Sequence, residues 1–236
     1  MPVIRVIGPG RAGKAFATAL EKAGWTVDGF LGRGDDLSCA AAGVDLLVLA
    51  TPDQSIFEVA NVVNSVPTTV VAHLSGALGL DVLAPHERRA AIHPLVSIPS
   101  DSGVSQLFDN GIWFSIVGDP LISEIVEDLK GRAIVVSEED RVIYHAAAVI
   151  ASNHLVALLG QVDRIVTSLG LPLEPFCDLA YGSLENVRRL GTEAALTGPA
   201  SRGDEKIIEA HLAVLESSER DAYVALADAC RRLAGR

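Results

Sequence analysis

Met1-Pro-Val-Ile-Arg-Val-Ile-Gly-Pro-Gly-Arg-Ala-Gly-Lys-Ala15 is the stretch from which the fold reads outward. Val3 to Ile7 is a short apolar run of the kind that forms a buried strand, and beyond it Ala12, Phe16, Ala19 and Leu20 recur at helical spacing. Between them stands Gly8-Pro9-Gly10-Arg11-Ala12-Gly13, a G-x-G-x-x-G turn. In such a turn the first glycine permits the tight bend, the second lets backbone approach a pyrophosphate, and the third lets the helix lie against its strand. The helix N-terminus adds unpaired N–H groups and the positive end of its dipole. Gly8, Pro9, Gly10, Arg11, Ala12 and Gly13 are therefore the expected phosphate cradle of a dinucleotide, since the flanking strand and helix supply the context that the motif needs. The alternative is a glycine turn with a purely structural role.

The first helix ends near Gly24, and Trp25 to Leu31 reads as a second strand closing at Gly32-Arg33-Gly34. An acidic residue at this strand end bonds the ribose 2′-hydroxyl of NAD, whereas an arginine accommodates the 2′-phosphate of NADP. Asp28 has the usual interval from Gly8 but falls inside the strand, and Asp35 and Asp36 lie beyond the turn. Arg33 sits where the adenosine end arrives, so the expected cofactor is NADP(H); the other reading of Arg33 is a solvated loop arginine.

Val44 to Ala50 is nearly continuous in apolar residues, as expected of a parallel strand covered on both faces. It ends at Thr51-Pro52-Asp53 and leads into a helix over 55–63. Thr69 to Leu74 ends at Ser75-Gly76, and Ala90 to His93 ends at His93-Pro94. Ligands of open α/β sheets bind beyond the carboxyl ends of the strands, which makes Thr51, Pro52, Asp53, Ser75, Gly76 and His93 one candidate site. Trp113 to Val117 and Ala133 to Val136, with a helix over 121–129 between them, complete a sheet of about eight strands. From Glu138 onward the sequence reads as helices over 140–169, 175–190, 204–216 and 220–233, the first stopped by Gly170-Leu171-Pro172. The fold class is α/β: a Rossmann-type, mostly parallel sheet over residues 1–138, followed by an all-helical domain over 139–236.

Composition narrows the function classes. The net charge is −11 and both halves are acidic, so no basic face is offered to nucleic acid. Cys39, Cys177 and Cys230 lie far apart without a C-x-x-C pair, which points to neither a disulfide framework nor a metal site. The first strand begins at residue 3, leaving no room for a signal peptide. The longest apolar stretch, Ala146 to Gly160, is broken by Ser152, Asn153 and His154 and reads as too short for a bilayer. A cytoplasmic protein is expected, without a membrane span. Its 49% hydrophobic residues and mean hydropathy of +0.34 suggest a generous core and a surface covered by a second subunit.

The long helix carries further polar candidates. At about 100° per residue, His145 and Ser152 share a face and Asn153 lies roughly 80° around from His145. A buried Asn must be bonded, either to a substrate carbonyl or the nicotinamide, or to a neighbouring helix. His145 is either a proton donor or a satisfied core histidine; His154 reads as packing, and His211 falls in the apolar stripe of Ile207, Ile208, Leu212 and Leu215. Leu196-Thr197-Gly198-Pro199-Ala200-Ser201-Arg202-Gly203-Asp204 reads as a substrate loop in which Thr197 and Asp204 flank Arg202, a planar carboxylate clamp. Alternatively, Arg202 and Asp204 pair to order a helix–helix connection.

Over nearly its full length the chain resembles a bacterial family of Rossmann-like proteins with a helical C-terminal domain of unknown function. The resemblance rests on Val6 to Gly13, His73-Leu-Ser-Gly76, His93-Pro-Leu95, Tyr144-His-Ala-Ala-Ala148, Ser152-Asn153 and Leu196 to Asp204. That family is related to pyrroline-5-carboxylate reductases, ketopantoate reductases and β-hydroxyacid dehydrogenases. The resemblance implies an NADPH-linked reductase with a helical domain of the 6-phosphogluconate dehydrogenase-like type that forms a homodimer and closes the active site. In ketopantoate reductases and β-hydroxyacid dehydrogenases a helix lysine one turn before an Asn donates the proton. Here Val149 stands four positions before Asn153, and of the four lysines only Lys206 lies in the helical half. Two routes remain: His145 or His93 protonates a developing alkoxide, or the substrate is an imine that arrives protonated and needs only orientation by Asn153 and Ser75. A non-catalytic NADP(H)-binding sensor or regulatory protein is the alternative to an enzyme.

Overall fold

Val3–Ile7 forms β1, with β2 (Thr26–Leu31) parallel to it on one side and β3 (Leu46–Leu49) parallel on the other. The computed structural model describes residues 1–98, 108 and 111–235. β4 (Val70–His73) and β5 (Arg89–Pro94) continue the parallel array beyond β3. β6 (Trp113–Gly118) then runs antiparallel to β5, and β7 (Arg132–Val135) is parallel to β6. The strand order is β2-β1-β3-β4-β5-β6-β7. Among the described residues the sheet therefore has seven strands rather than eight, one for each of the seven apolar runs that the sequence offers.

The order reverses between β1 and β3, so a crevice opens beyond their carboxyl ends. Every residue of β3 and β4 is buried, because helices cover both faces of the sheet there. On one face α1 (Arg11–Lys22) sets Phe16 and Leu20 into a core with Ile4, Val48, Val70 and Phe114. On the other, α2 (Asp53–Val62) sets Ile56 and Ala60 against Leu47, Leu49 and Val71. Phe16 is fully buried, and truncating such a side chain to Ala costs about 3–5 kcal/mol. A 3-10 turn at Leu80–Leu83 leads into β5, and α3 (Leu121–Asp128) connects β6 to β7.

The return at the end of β6 is tightly built. Gly118 has φ +105° and a Cβ there would meet the Arg89 carbonyl oxygen, while Asp119 N–H donates to the same oxygen at 2.8 Å. Arg88 holds the Asp119 carboxylate through Nε at 2.8 Å and Nη2 at 2.9 Å.

The structure divides into two compact units, Met1–Ser152 and Asn153–Arg236. Strands end near Glu138, as the sequence implied, but α4 (Arg141–Val149) belongs with the sheet because its Arg141 is fully buried there. A π turn (Ile150–His154) follows α4, then α5 (Leu155–Ser168). The long helix is thus not uniformly α. Residues in a π turn advance less than the α-helical 100°, so the angular relation of Asn153 to His145 read from a regular helix does not apply. By length and composition Arg141–Ser168 is enough to cross a bilayer, its most apolar window having mean hydropathy 1.7 with none of it buried. The shorter stretch read from the sequence missed this because the polar residues at 152–154 interrupt apolar character without ending the helix.

The second unit adds α6 (Glu174–Leu190), the one-turn helices α7 (Thr192–Ala195) and α8 (Pro199–Arg202), α9 (Glu205–Val214) and α10 (Ser217–Leu233). α5 and α10 are tied by Arg164, which donates through Nε and Nη2 to the Glu219 carboxylate at 2.7 and 2.9 Å, and by Gln161, which donates to the Glu219 carbonyl at 2.8 Å. α6 has no buried residue in the single chain.

Candidate functional site

The glycine turn after β1 has the close contacts that the motif demands. Gly8 takes φ +99°, and a Cβ on it would lie 2.7 Å from the Ala50 carbonyl carbon. A Cβ on Gly10, by contrast, would meet nothing within 4 Å: that backbone faces open space at the start of α1. No acidic residue stands in the first turn of α1 and, among the described residues, no side chain caps its N–H groups, which leaves this helix end to an anion.

A cleft of about 410 Å³ lies over this turn, lined by Ile7, Gly8, Pro9, Gly10, Gly32, Arg33, Ala50, Thr51 and Pro52, among others. It is the crevice at the β1/β3 reversal. Arg33 lines it, as the sequence placed it. Arg11 at the head of α1 instead reaches away, donating through Nη1 to the Ile98 carbonyl at 3.2 Å. Ala12 packs against the core. Asp28 does not serve the cleft: its Oδ2 accepts from Arg5 at 2.8 and 2.5 Å. Asp35 folds back onto Gly32 N–H at 2.7 Å. The Thr51 hydroxyl is buried and meets no partner among the described residues, an acceptor or donor held ready on the cleft wall. Glycine cradle, open helix end, wall arginine and orphaned hydroxyl together fit a dinucleotide.

A second group gathers at the ends of β4 and β5. Ser75 Oγ donates to Asp53 Oδ2 at 2.7 Å and accepts from Ala77 and Leu78 N–H at 3.2 and 3.1 Å, which fixes the loop after β4 to the head of α2. His93 Nδ1 lies 2.9 Å from the Tyr144 hydroxyl, and the His93 and His145 rings meet edge to face at 5.9 Å. A Cβ on Gly76 would fall 2.7 Å from His145 Cδ2 and 3.0 Å from His93 Cε1, so only glycine lets both rings close over this loop. Asp53, Ser75, Gly76 and His93 are thus brought together at the strand ends, and His145 of α4 joins them.

Arg141 was not among the residues singled out from the sequence and Tyr144 entered only within the Tyr144–Ala148 stretch, without a role, yet both build this group. Arg141 donates to the Leu78 and Ser75 carbonyls, both at 2.5 Å, while its Nη1 is buried without a partner among the described residues. The signal was the spacing: 141, 144 and 145 fall on one helical face at i, i+3 and i+4. Burial, with His145 and the Arg141 charge adding to it, pushes His93 down to about 4, and burial pushes fully buried His73 down to about 4 as well. Both imidazoles are neutral at pH 7. Burial raises the Tyr144 phenol above its ordinary value, against the opposing effects of Ser115 and Arg141.

The remaining candidates lie in the second unit. Asn153 is exposed on the π turn rather than buried, as are His154, Leu155 and Val156 beside it. Arg202 pairs with Asp204 through Nε and Nη2, both at 2.9 Å, and both side chains are largely exposed. This is the loop-ordering arrangement, set at the end of one-turn α8 by Gly203 in the left-handed region. Thr197 lines an apolar cavity of about 330 Å³ with Leu158, Val162, Tyr223 and Cys230. His211 is exposed and bonds Tyr223 at 2.7 Å, so it is not a core histidine. No group of His, Cys, Asp and Glu able to hold a metal occurs among the described residues.

Residues 34–99 match a Rossmann-like domain, and residues 115–230 match a domain of unknown function, DUF2520. No curated protein matches the chain. Among solved structures, it is similar to a Bacteroides fragilis protein provisionally assigned as an NADP oxidoreductase, at 19% identity over 98% of both chains with a TM-score of 0.85. It is similar to protein TM1727 of Thermotoga maritima, at 26% identity over 98% of both chains with a TM-score of 0.73. It is also similar to 1-pyrroline-5-carboxylate reductase of Streptococcus pyogenes, at 15% identity over 98% of both chains with a TM-score of 0.67. These likenesses show a shared fold along the chain: a mostly parallel sheet followed by helices.

Proposed function

We propose that this chain is an NADP(H)-dependent oxidoreductase that reduces a small carboxylate-bearing C=O or C=N compound by hydride transfer. The observation that carries the reading is the cleft at the β1/β3 reversal, where the glycine cradle and Arg33 line one wall. Gly8, Pro9, Gly10, Arg11, Ala12 and Gly13 form the pyrophosphate cradle, and Arg33 meets the 2′-phosphate. Thr51, Pro52, Asp53, Ser75 and Gly76 follow the cofactor toward its nicotinamide, which when bound supplies the hydride. Solved structures of similar fold include a Plasmodium falciparum pyrroline carboxylate reductase with NADP bound and an Aspergillus terreus reductive aminase with NADPH, which supports the cofactor and the reaction class.

His93 or His145 supplies the proton, the role that a lysine would otherwise fill and that Val149 does not. Asn153 orients the reacting group, and Thr197 and Arg202 take the substrate's carboxylate end, with Asp204 as the partner that Arg202 releases when the substrate arrives. For Arg202 this requires exchanging Asp204 for the ligand carboxylate, which suits a planar guanidinium near the surface. The exposed apolar residues of the helical unit, Val156, Leu179 and Leu184 among them, are the surface of a homodimer. A second copy explains them better than a bilayer, since the same long helix buries Arg141 against the Ser75 and Leu78 carbonyls. The protein acts in the cytoplasm on small molecules, without nucleic acid.

The experiment is single-turnover oxidation of bound NADPH, followed by absorbance, against 2-oxo acids and cyclic imino acids. Oxidation by either class supports the reductase and names its electrophile. Tight NADPH binding with no oxidation across both classes favours the sensor, the reading that the missing lysine supports.

A further inference from the structure

The polar ends of β4 and β5 carry a hydrogen bond whose direction decides how a proton leaves the site. His93 Nδ1 and the Tyr144 hydroxyl are 2.9 Å apart, with the rings edge to face at 5.8 Å. The titratable and charged groups around His93 are Arg141, Tyr144 and His145 of α4, Asp53 at the head of α2, and His73 of β4. Asp53 Oδ2 accepts from Ser75, and no hydrogen bond or ion pair between Asp53 and His93 is present among the described residues. Arg141, fully buried, carries its Nη1 without a partner among the described residues. A buried cation at this place opposes an imidazolium on His93 and favours negative charge on the Tyr144 oxygen. A phenol, even with its acidity weakened by burial, is a far stronger acid than the N–H of a neutral imidazole, so at 2.9 Å the phenol donates and Nδ1 accepts. A neutral imidazole that accepts at Nδ1 holds its proton on Nε2.

We propose that Tyr144 is the positioning residue that fixes His93 as the Nε2–H tautomer and replenishes its proton. The inference rests on the reductive reading of the site. As the substrate's oxygen or nitrogen gains negative charge, it takes the Nε2 proton. The phenolic proton passes to Nδ1, and the phenolate left behind is held near the Arg141 guanidinium. A proton from water then enters at Nε2 while the Nδ1 proton returns to Tyr144. One proton is consumed per turnover and no imidazolium need form, which answers how a histidine kept neutral by burial acts as an acid where no lysine stands.

The test is a pH series of long-range ¹H–¹⁵N spectra on the full chain labelled with ¹⁵N-histidine, for wild type, Tyr144→Phe and His93→Gln, the last assigning the His93 signals. The expected wild-type result is the Nε2–H form of His93, neutral from pH 8 to below pH 5. In Tyr144→Phe the tautomers mix and the protonation midpoint rises, because the donor that favoured neutral Nδ1 is gone. A wild-type Nδ1–H tautomer, or a spectrum and midpoint unmoved by Tyr144→Phe, overturns the assignment. If Tyr144→Phe does not fold, the wild-type tautomer decides. The same variant, loaded with NADPH, should slow single turnover with an oxidising compound by about tenfold or more at unchanged NADPH affinity; undiminished turnover also overturns the relay. If no compound oxidises NADPH, the reductase reading fails, and the tautomer still decides the Tyr144–His93 assignment separately.

Discussion

A Cβ on Gly13 would fall 2.4 Å from the carbonyl oxygen of Gly8, with the Ala50 Cβ at 2.9 Å and Val6 Cγ1 at 3.0 Å. Gly13 is therefore a packing residue and Gly10 a ligand residue, although both belong to one motif. Gly13→Ala should cost about 1–3 kcal/mol by overpacking and lower the melting temperature. Gly10→Ala, with open space around it, should leave the melting temperature alone while NADPH affinity drops. Fluorescence titration and thermal melts of both variants separate these effects. Equal NADPH affinity in Gly10→Ala and wild type would remove this turn from the cofactor.

Arg33 on the cleft wall sets the choice between the two nicotinamide cofactors. Arg33→Ala should weaken NADPH about tenfold or more, the loss of a charge-assisted bond to phosphate, and leave NADH nearly unchanged. Paired titrations with NADPH and NADH measure this, and equal losses would show that Arg33 acts on the fold instead.

Stability should fall between pH 7 and pH 5. His73 and His93 are each held near 4 in the folded chain, below the ordinary histidine value of about 6.5 in the unfolded one. As pH drops through 6.5 the unfolded state takes up these protons first. The contribution is fully present above that value and is lost progressively down to about 4. For fully buried His73 the loss from pH 7 to pH 5 is about 2 kcal/mol. Urea unfolding at the two pH values reads it directly, and a flat profile would mean that neither imidazole is held neutral by burial.

Arg141→Ala removes both bonds to the Ser75 and Leu78 carbonyls and leaves a cavity. The expected destabilisation is about 3–5 kcal/mol. Because Ala77 and Leu78 N–H donate to Ser75 Oγ, their amide exchange should accelerate before that of β4. Unchanged exchange at those two amides would show that Ser75 and Asp53 hold the loop unaided.

Arg202→Ala should raise the KM for a carboxylate substrate about tenfold or more with little change in NADPH affinity. An unchanged KM would leave Arg202 as the partner of Asp204 alone.

Much of this molecule is legible in its residues for definite reasons. The glycine turn shows because positive φ and backbone contact leave glycine as the residue that fits, and β3 and β4 show because burial on both faces makes them continuously apolar. Ser75, Gly76 and His93 converge because parallel strands put their carboxyl ends on one edge. The π turn had no such signature: Ile150 to His154 has ordinary helical composition, and nothing in it announces the change of pitch. Arg141 was passed over because a buried arginine is rare and its partners, two backbone carbonyls, carry no side-chain pattern. The Arg202–Asp204 pair was visible as one of two readings, and sequence spacing alone does not choose between an internal partner and a ligand.

The reversal of β6 divides the labour between the two edges of the sheet. The carboxyl ends of β1 to β5 share one edge, where the cleft and the Ser75–His93 group lie, while the turn after β6 leaves from the opposite edge, held by Gly118 and the Arg88–Asp119 pair. A spectroscopic label on exposed Ser123, just past that turn, would therefore report the integrity of the sheet without competing with anything bound at the other edge. The fold in this way supplies a silent side, on which unfolding can be followed separately from ligand occupancy in one and the same molecule.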